Sequence, residues 1–490
     1  MVEKHIFSFI KTGVLTMLCG LLCAVGCLLS FNSCHRHNYN TDVKLVFSTD
    51  TLMFDTVFTT LTSVTRSFTV FNPSKEPVKL DIFLAGGGQS FYSINVDGVS
   101  GREFHEVEIP GHDSIFVFVR VNIDPGNQNN PFLITDSVLF YNTNRRQAVQ
   151  LVSFGQDAHY ILPDHHNISS MPYCIVAHEH EHTHWTNDKP WVIYGWAVVD
   201  SLGKLTIDPG TRIYVHSGGG IWVYRYGNIQ VNGTADEPVY FAGDRRESFF
   251  SDDYSQWGYI WINEGTEDNL INNAVITNSA TGIRLSSLLE YLNNKTIIQN
   301  TIIQNNKDFG VFAEAANMEM TNCQISNNGS ASVVLQVGDY TLNHVTVGNY
   351  FAQKARTDPA FILHNYYTSG DITYVGNTNL TCNNSIIYGY LDNEFSASKR
   401  NGADLTYTLR NCLLKQEASA ESHYVNCLFN QNPLFVSSYQ QDLELMENSP
   451  AIDAGMEGLG ITTDLLGRMR NGKPDIGAYE YYPASGSKRR

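Results

Sequence analysis

An Asn followed by a small or polar residue and then a short β-prone run recurs through the second half of the chain. Clear copies are Asn273-Ala274-Val275-Ile276, Asn300-Thr301-Ile302-Ile303 and Asn322-Cys323-Gln324-Ile325, and later copies start at Asn343, Asn384, Asn411 and Asn426. The first three steps are 27, 22 and 21 residues. A period of this size specifies one supersecondary unit stacked on itself rather than a series of independent folds. Asn278, Asn305, Asn327 and Asn349 follow the first four copies. Each of those strands is therefore bracketed by residues that tolerate left-handed backbone and cap their own turns. The expected object is a coil whose strands pair with the turns above and below.

Strand side chains alternate with period two. The first and third residues after each Asn should share the inner face: Ala274 with Ile276, Thr301 with Ile303, Cys323 with Ile325, Ser385 with Ile387, Cys412 with Leu414, Cys427 with Phe429. A small residue beside a large apolar one fills a narrow interior. The opposite face carries the mixed set Val275, Ile302, Gln324, Ile386, Leu413 and Leu428, which suits partial cover. The copy at Asn343 departs, because His344 and Thr346 fall where the inward pair belongs. Either Val345 and Val347 point inward there or that coil is shifted. The 41 residues from Asn343 to Asn384 hold either two coils, or one coil plus an excursion around the Tyr-rich stretch Tyr366–Tyr374.

The chain has 490 residues, of which 17% are charged, and a formal net charge of -17. The length predicts two to three domains, and the low charge content with many β-prone runs excludes a disordered chain. An acidic balance without a basic stripe argues against nucleic-acid binding and against long-range attraction to a polyanionic glycan. At the N-terminus, Lys4 and Lys11 precede an apolar run from about Gly13 to Phe31 that ends at Asn32-Ser33-Cys34. This is a secretion signal. Its end resembles the cleavage site of bacterial lipoproteins, which implies a signal peptide over 1–33, lipidation of Cys34, a membrane partner through that anchor, and a short linker over 34–42. Cys27 is the competing site, and an uncleaved membrane-spanning anchor is the other reading. Of the cysteines beyond the signal (Cys174, Cys323, Cys382, Cys412 and Cys427), three share the inward motif position and read as small core residues. A Cys412–Cys427 bridge is conceivable, since stacked coils lie ~4.8 Å apart.

From Val43 to Phe154, short alternating runs such as Ser67–Phe71, Val78–Leu84 and Ser114–Val121 are separated by turn residues. The stretch 43–156 is therefore a β-sandwich, and it resembles the immunoglobulin-like (Ig-like) modules of surface lipoproteins. Residues 157–190 read as a polar, His-rich connector. From Trp191 onward, Lys204–Thr211, Gly220–Val223, Asn228–Thr234 and Glu237–Phe241 follow one another at close intervals. With the Asn repeats, this succession over 191–440 resembles the right-handed parallel β-helix proteins of the pectate-lyase type. Ser449-Pro450-Ala451-Ile452-Asp453-Ala454-Gly455 and Pro474–Tyr481 resemble the closing segment of secreted bacterial β-helix proteins, so 441–483 is expected to be a cap and 484–490 a basic tail. Asp453, Asp464, Arg470 and Asp475 read as charges that order this cap, with a Ca²⁺ site as the alternative. The expected fold is all-β: an N-terminal Ig-like β-sandwich followed by a right-handed parallel β-helix with a C-terminal cap. A monomer is expected. This fold hosts lyases, hydrolases, esterases, adhesins and inert stalks, so activity must come from a site.

Three features could supply one. In His178-Glu179-His180-Glu181-His182-Thr183-His184, an extended strand would place all four imidazoles on one face, ~6.8 Å apart, and a His-x-His pair can hold Zn²⁺. A polar linker is the competing account, and no cofactor is firmly implied. All six Trp lie between positions 185 and 261. With Ile221 and Val223 inward, Trp222, Tyr224 and Tyr226 line an outer face with Arg225, and Trp257 and Trp261 belong to a later coil. Flat aromatics along a coil can stack on sugar rings, while Arg225, Arg245 and Arg246 could meet a carboxylated sugar. The competing account packs these aromatics against other parts of the chain. Catalysis is the third. Arg284, Lys295, Glu314, Glu319 and other charges of the central coils are scattered, and Asp252-Asp253 is an adjacent acidic pair in a turn-like segment. The expectation is a lipid-anchored surface protein that binds or displays on polysaccharide without catalysis. The alternatives are a polysaccharide lyase or glycosidase and a surface metal-binding protein.

Overall fold

The computed structural model describes residues 38–58, 65–121, 132–143, 145–156, 158–166, 171–245, 254–287 and 294–483. The signal segment with Cys27 and Cys34, Arg246, Asp252, Asp253 and the basic tail lie outside them. The chain divides into two compact units, with the boundary after Gly155. Among the described residues there is no α-helix, and the parallel and antiparallel sheets make the fold all-β.

The first unit has two five-stranded antiparallel sheets. One orders the strands Val46–Phe47, Arg66–Phe71, Ser114–Val121, Tyr92–Val96 and Val99–Gly101; the other orders Thr51–Phe58, Arg145–Gln156, Phe132–Asn142, Val78–Leu84 and Glu103–Ile109. Ser114–Val121 alternates strictly between exposed and buried positions. Its buried members Ile115, Val117, Val119 and Val121 join Phe68, Leu80, Ile82 and Phe140 in one core.

The second unit is a stack of three-sided coils whose strands all pair in parallel with the coil above and below. The first ladder runs from Pro172–Ala177 through Trp196–Val199, Gly220–Val223, Ile260–Ile262 and Thr281–Ser286 to Phe361–His364 and Phe395–Ser398. The second runs from His182–Trp185 through Lys204–Ile207 and Asn228–Asn232 to Leu405–Arg410 and Tyr424–Val425. The third runs from His159–Ile161 through Trp191–Ile193, Arg212–Val215, Ala274–Thr277 and Ile302–Asn306 to Leu428–Phe429. Two long strands, Phe309–Thr321 and Val333–Asn343, serve both the first and second ladders by bending at Ala315 and Val337, where φ is 51° and 54°.

The Asn repeat marks the bend between the second and third ladders. Asn273, Asn300, Asn322, Asn384, Asn411 and Asn426 all have φ between 46° and 53°. In this left-handed region a short polar side chain that bonds locally is tolerated far better than a branched one. The coil that departs in sequence uses His344, at φ 55°, in place of Asn, and Val345 and Val347 point inward. Asn278, Asn305 and Asn327 mark the next bend, whereas Asn349 belongs to a buried column with Asn306 and Asn328. In that column Asn306 donates to Asn328 Oδ1 at 2.8 Å, and Asn349 donates to the Asn328 carbonyl at 3.0 Å. The long gap before Asn384 is one coil plus the excursion, since Thr346–Asn349 pairs directly with Ile386–Gly389. Part of the excursion is an antiparallel hairpin, Tyr366–Ser369 with Ile372–Val375. The other part, near Arg356, is held by a buried ion pair in which Arg356 donates to Glu394 at 2.8 Å.

Three expectations need correction. The stretch 157–190 is not a connector but the first turn of the stack, because its strands pair in parallel with Trp191–Ile193, Trp196–Val199 and Lys204–Ile207. Its polar residues occupy outward positions and turns, which disguised the alternation. The Cys412–Cys427 bridge is not formed: all five described cysteines are free thiols, and the Cys412 sulfur lies 3.9 Å from that of Cys382. The segment expected as a cap is laid along the outer face of the third ladder. Leu443, Leu445, Ala451, Ile476, Ala478 and Tyr479 cluster there with Ile386 and Leu413, and with the partly buried Ile302 and Leu428. Asp464 binds Arg468 and the N–H of Glu480, Asp475 accepts from the N–H of Asp453 and Tyr481, and Arg470 reaches Glu480 and Asn322. These charges thereby tie the strap to itself and to the Asn bend.

Candidate functional site

The outer face of the first ladder presents two rows of side chains, because residues in register stack directly above one another. One row reads Val198, Trp222, Trp261, Arg284, Phe312 along the stack. The other, two residues further along each strand, reads Asn263, Ser286, Glu314, Gln336, His364, with Tyr224 at its start. The two rows are cross-linked by a diagonal that repeats coil after coil. Trp222 Nε1 donates to Asn263 Oδ1 at 2.9 Å, Trp261 Nε1 donates to Ser286 Oγ at 2.7 Å, and Arg284 donates to Glu314 at 2.9 Å. Asn263 in turn donates to the Ser286 carbonyl at 2.8 Å.

The first row forms a continuous stack. The Trp222 and Trp261 rings are 4.7 Å apart and inclined by 8°. The Arg284 guanidinium lies 5.8 Å from the Trp261 ring and 5.6 Å from the Phe312 ring, within cation–π range. The ring planes therefore cross the axis of the coil. Both faces of Trp261 are occupied by neighbours, contrary to the expectation of flat faces turned toward a sugar. Tyr224 meets Trp222 edge-on at 5.3 Å. The Trp222 face on the Val198 side borders a smaller cavity of 450 Å³ with Tyr173, Ile175, Trp196, Tyr224 and Asp200 among its walls.

Above this floor lies a groove of 770 Å³. Trp222, Tyr224, Arg225, Trp261, Asn263 and Arg284 line it with Glu264, Ser286 and Glu314, and Tyr367, Thr368, Ser369 and Gly370 of the hairpin form the facing wall. Each arginine is matched by a carboxylate: Arg225 Nε is 3.3 Å from Glu264, and Arg284 is paired with Glu314. The lining therefore carries no formal net charge, while offering donors and acceptors beside aromatic edges. Such a surface suits a hydroxyl-rich ligand with apolar ring faces.

Of the residues expected to bind carbohydrate, Trp222, Tyr224, Arg225 and Trp261 come together here. Trp257 does not. It is 2% exposed in the core of the stack, and its Nε1 donates inward to the Thr277 carbonyl. Tyr226 occupies the turn after Gly220–Val223, with φ 66°, where its N–H bonds to the Glu264 carbonyl. Arg284 and Glu314 looked scattered in sequence, but they stand on consecutive rungs. Asn263 and Glu264 carried no signal by themselves; the register of their coil with Trp222 is what places them, and the hairpin wall comes from the Tyr-rich excursion.

The His tract does not present four imidazoles on one strand. The backbone turns at His178–Glu181, with His180 at φ 62°, and only His182 and His184 share a face. Their rings are 4.3 Å apart, and His182 Nε2 is 2.8 Å from Thr206 Oγ1. Among the described residues, no group of three or more His, Cys, Asp or Glu is arranged to hold a metal ion.

A family model described as a right-handed beta helix region matches residues 166–351. No curated protein matches the chain. Among solved structures, the chain is similar to a family 123 glycoside hydrolase from Clostridium perfringens, at 6% identity, over 24% of this chain and 30% of that one, with a TM-score of 0.18. It is also similar to the ASH/PapD-like domain 7 of human CEP192, at 10% identity, over 25% of this chain and 90% of that one, with a TM-score of 0.17. The chain thus spans less than a third of the hydrolase, and likenesses of this size carry no argument about the site.

Proposed function

We propose that this β-helix chain is a lipid-anchored cell-surface protein that binds a polysaccharide along its first ladder without cleaving it. Cys34 is the residue read as lipidated, and the antiparallel sandwich is read as an Ig-like module. The observation that carries the glycan reading is the 770 Å³ groove, in which Trp222, Tyr224 and Trp261 meet a charge-balanced row of hydrogen-bonding groups. An apolar ring edge beside paired donors and acceptors is the complement of a sugar, whose ring carbons and hydroxyls alternate.

A second reading, a glycoside hydrolase, is favoured by one fact: Glu264 and Glu314 both line the groove, and glycoside hydrolysis uses two carboxylates. One experiment separates the two. The chain from Asn38 onward is passed over a panel of immobilised polysaccharides, and retention, reducing ends and ultraviolet-absorbing products are read together. Retention without products, lost in Trp222→Ala, is the expected result. Products would replace binding by catalysis, and equal retention by Trp222→Ala would remove the site. Trp257→Ala serves as a contrast: it should destabilise the stack by about 3–5 kcal/mol while the folded fraction still binds.

A further inference from the structure

Glu264 is the exception among the buried acids of the described residues. Glu394 accepts from Arg356 and from the N–H groups of Ala360 and Leu391. Glu480 accepts from Arg470 and from the N–H groups of Asn471 and Asp475. The Glu264 side chain is 2% exposed, yet its Oε1 has no hydrogen-bond partner among the described residues. Its close charge is Arg225 Nε, 3.3 Å away, on a side chain that is 42% exposed. Burying a carboxylate oxygen with no well-aligned donor is unfavourable, and such an oxygen takes a donor from a water or a ligand when one reaches it. Both residues line the groove, next to Tyr224.

We propose that Glu264 and Arg225 grip a vicinal diol of a neutral sugar unit lying beside Tyr224. With the half-exposed Arg225 side chain turned from Glu264 toward the ligand, one hydroxyl donates to Glu264 Oε1, and the neighbouring hydroxyl oxygen accepts from the Arg225 guanidinium. A carboxylate and a guanidinium side by side supply the acceptor and donor that two adjacent hydroxyls require. An acidic sugar is disfavoured, because Glu264 and Glu314 repel it and both arginines are already matched. A free cation is disfavoured by Arg225. The proposal rests on the glycan reading above and specifies its ligand class.

The test measures affinity of the chain from Asn38 onward for neutral oligosaccharides of xylan, cellulose, mannan and galactan. Laminarin oligosaccharides, whose internal units lack a vicinal diol, and oligogalacturonate serve as comparisons. Glu264→Gln and Arg225→Met are each expected to weaken binding of a diol-bearing neutral oligosaccharide by about tenfold or more. Because Arg225→Met removes the close charge of a buried carboxylate, Arg225→Lys, which keeps that charge but loses the fork of donors, guards against a folding artefact: it should melt like the wild type and still bind more weakly. Preference for oligogalacturonate or laminarin oligosaccharides would overturn the proposal. So would unchanged affinity in these variants while Trp222→Ala abolishes binding, and that result would leave the groove reading intact. Retention of no probe would sink both.

Discussion

His344 shows how one residue can couple the coil to its strap. It takes the left-handed position that Asn holds in neighbouring coils, is buried, and is locked in one neutral tautomer. Nδ1 donates to the Gly477 carbonyl at 3.2 Å, and Nε2 accepts from Asn384 Nδ2 at 3.0 Å. Burial first, and then the charge of Arg470, push its pKa from 6.5 down to about 3. The unfolded chain takes up a proton on this imidazole below about 6.5, whereas the folded chain resists until about 3. Stability from this residue is therefore complete above pH 6.5 and is lost progressively as pH falls toward 3, by several kcal/mol at most. Asp475 acts oppositely: burial raises its pKa to about 6, so its ionisation weakens the fold as pH rises from about 4 to 6. His344→Asn, which restores the motif residue, should flatten the acid limb. Urea unfolding at pH 7 and pH 4.5 would reveal this as a smaller difference than in the wild type; an unchanged difference would contradict the assignment.

At the scale of elements, the hairpin Tyr366–Val375 and the strap are both additions to the stack, and their interiors differ. The hairpin is exposed over Ser369–Tyr374, and its rings stack on each other, Tyr367 on Tyr374 at 5.0 Å. The flanking strands Phe361–His364 and Thr378–Asn383 keep their own partners in neighbouring coils. Replacing the hairpin with a short turn should leave stability within about 1 kcal/mol and weaken glycan retention, because one wall of the groove is removed. Thermal melting and retention, measured on the same sample, check both halves. The strap instead covers apolar residues of the third ladder, including the fully buried Ile386 and Leu413. Leu443→Asp would place a charge against Gly348 and that face, and is expected to destabilise the stack by roughly 3 kcal/mol or more. Denaturant midpoints would show it.

Across the whole molecule, a net charge of -17 coexists with a groove whose two arginines and two carboxylates balance. Binding of a neutral glycan there should change little between about 0.05 and 0.5 M salt, because no net charge is screened. A steep loss of retention with salt would point instead to an anionic ligand. The coil itself was legible from the repeat, because a left-handed bend every turn demands Asn and a narrow interior demands a small residue beside a large one, as at Cys323 and Ile325. The inward pairs followed from local rules of that kind, and the β-helix class from the resemblance that the same repeats carry. The first turn, hidden by the polar surface of His178–His184, was not legible, and neither was the strap's course along the third ladder. The groove lay between these extremes. Trp222, Tyr224 and Trp261 announced an aromatic face, but Trp257 has the same composition and turns inward. Glu264, Arg284 and Glu314 became neighbours only through the rung register, which a chain of unequal loops conceals. Periodicity is a property of nearby residues and survives in one dimension; a site assembled across coils depends on loop lengths that only the folded stack resolves.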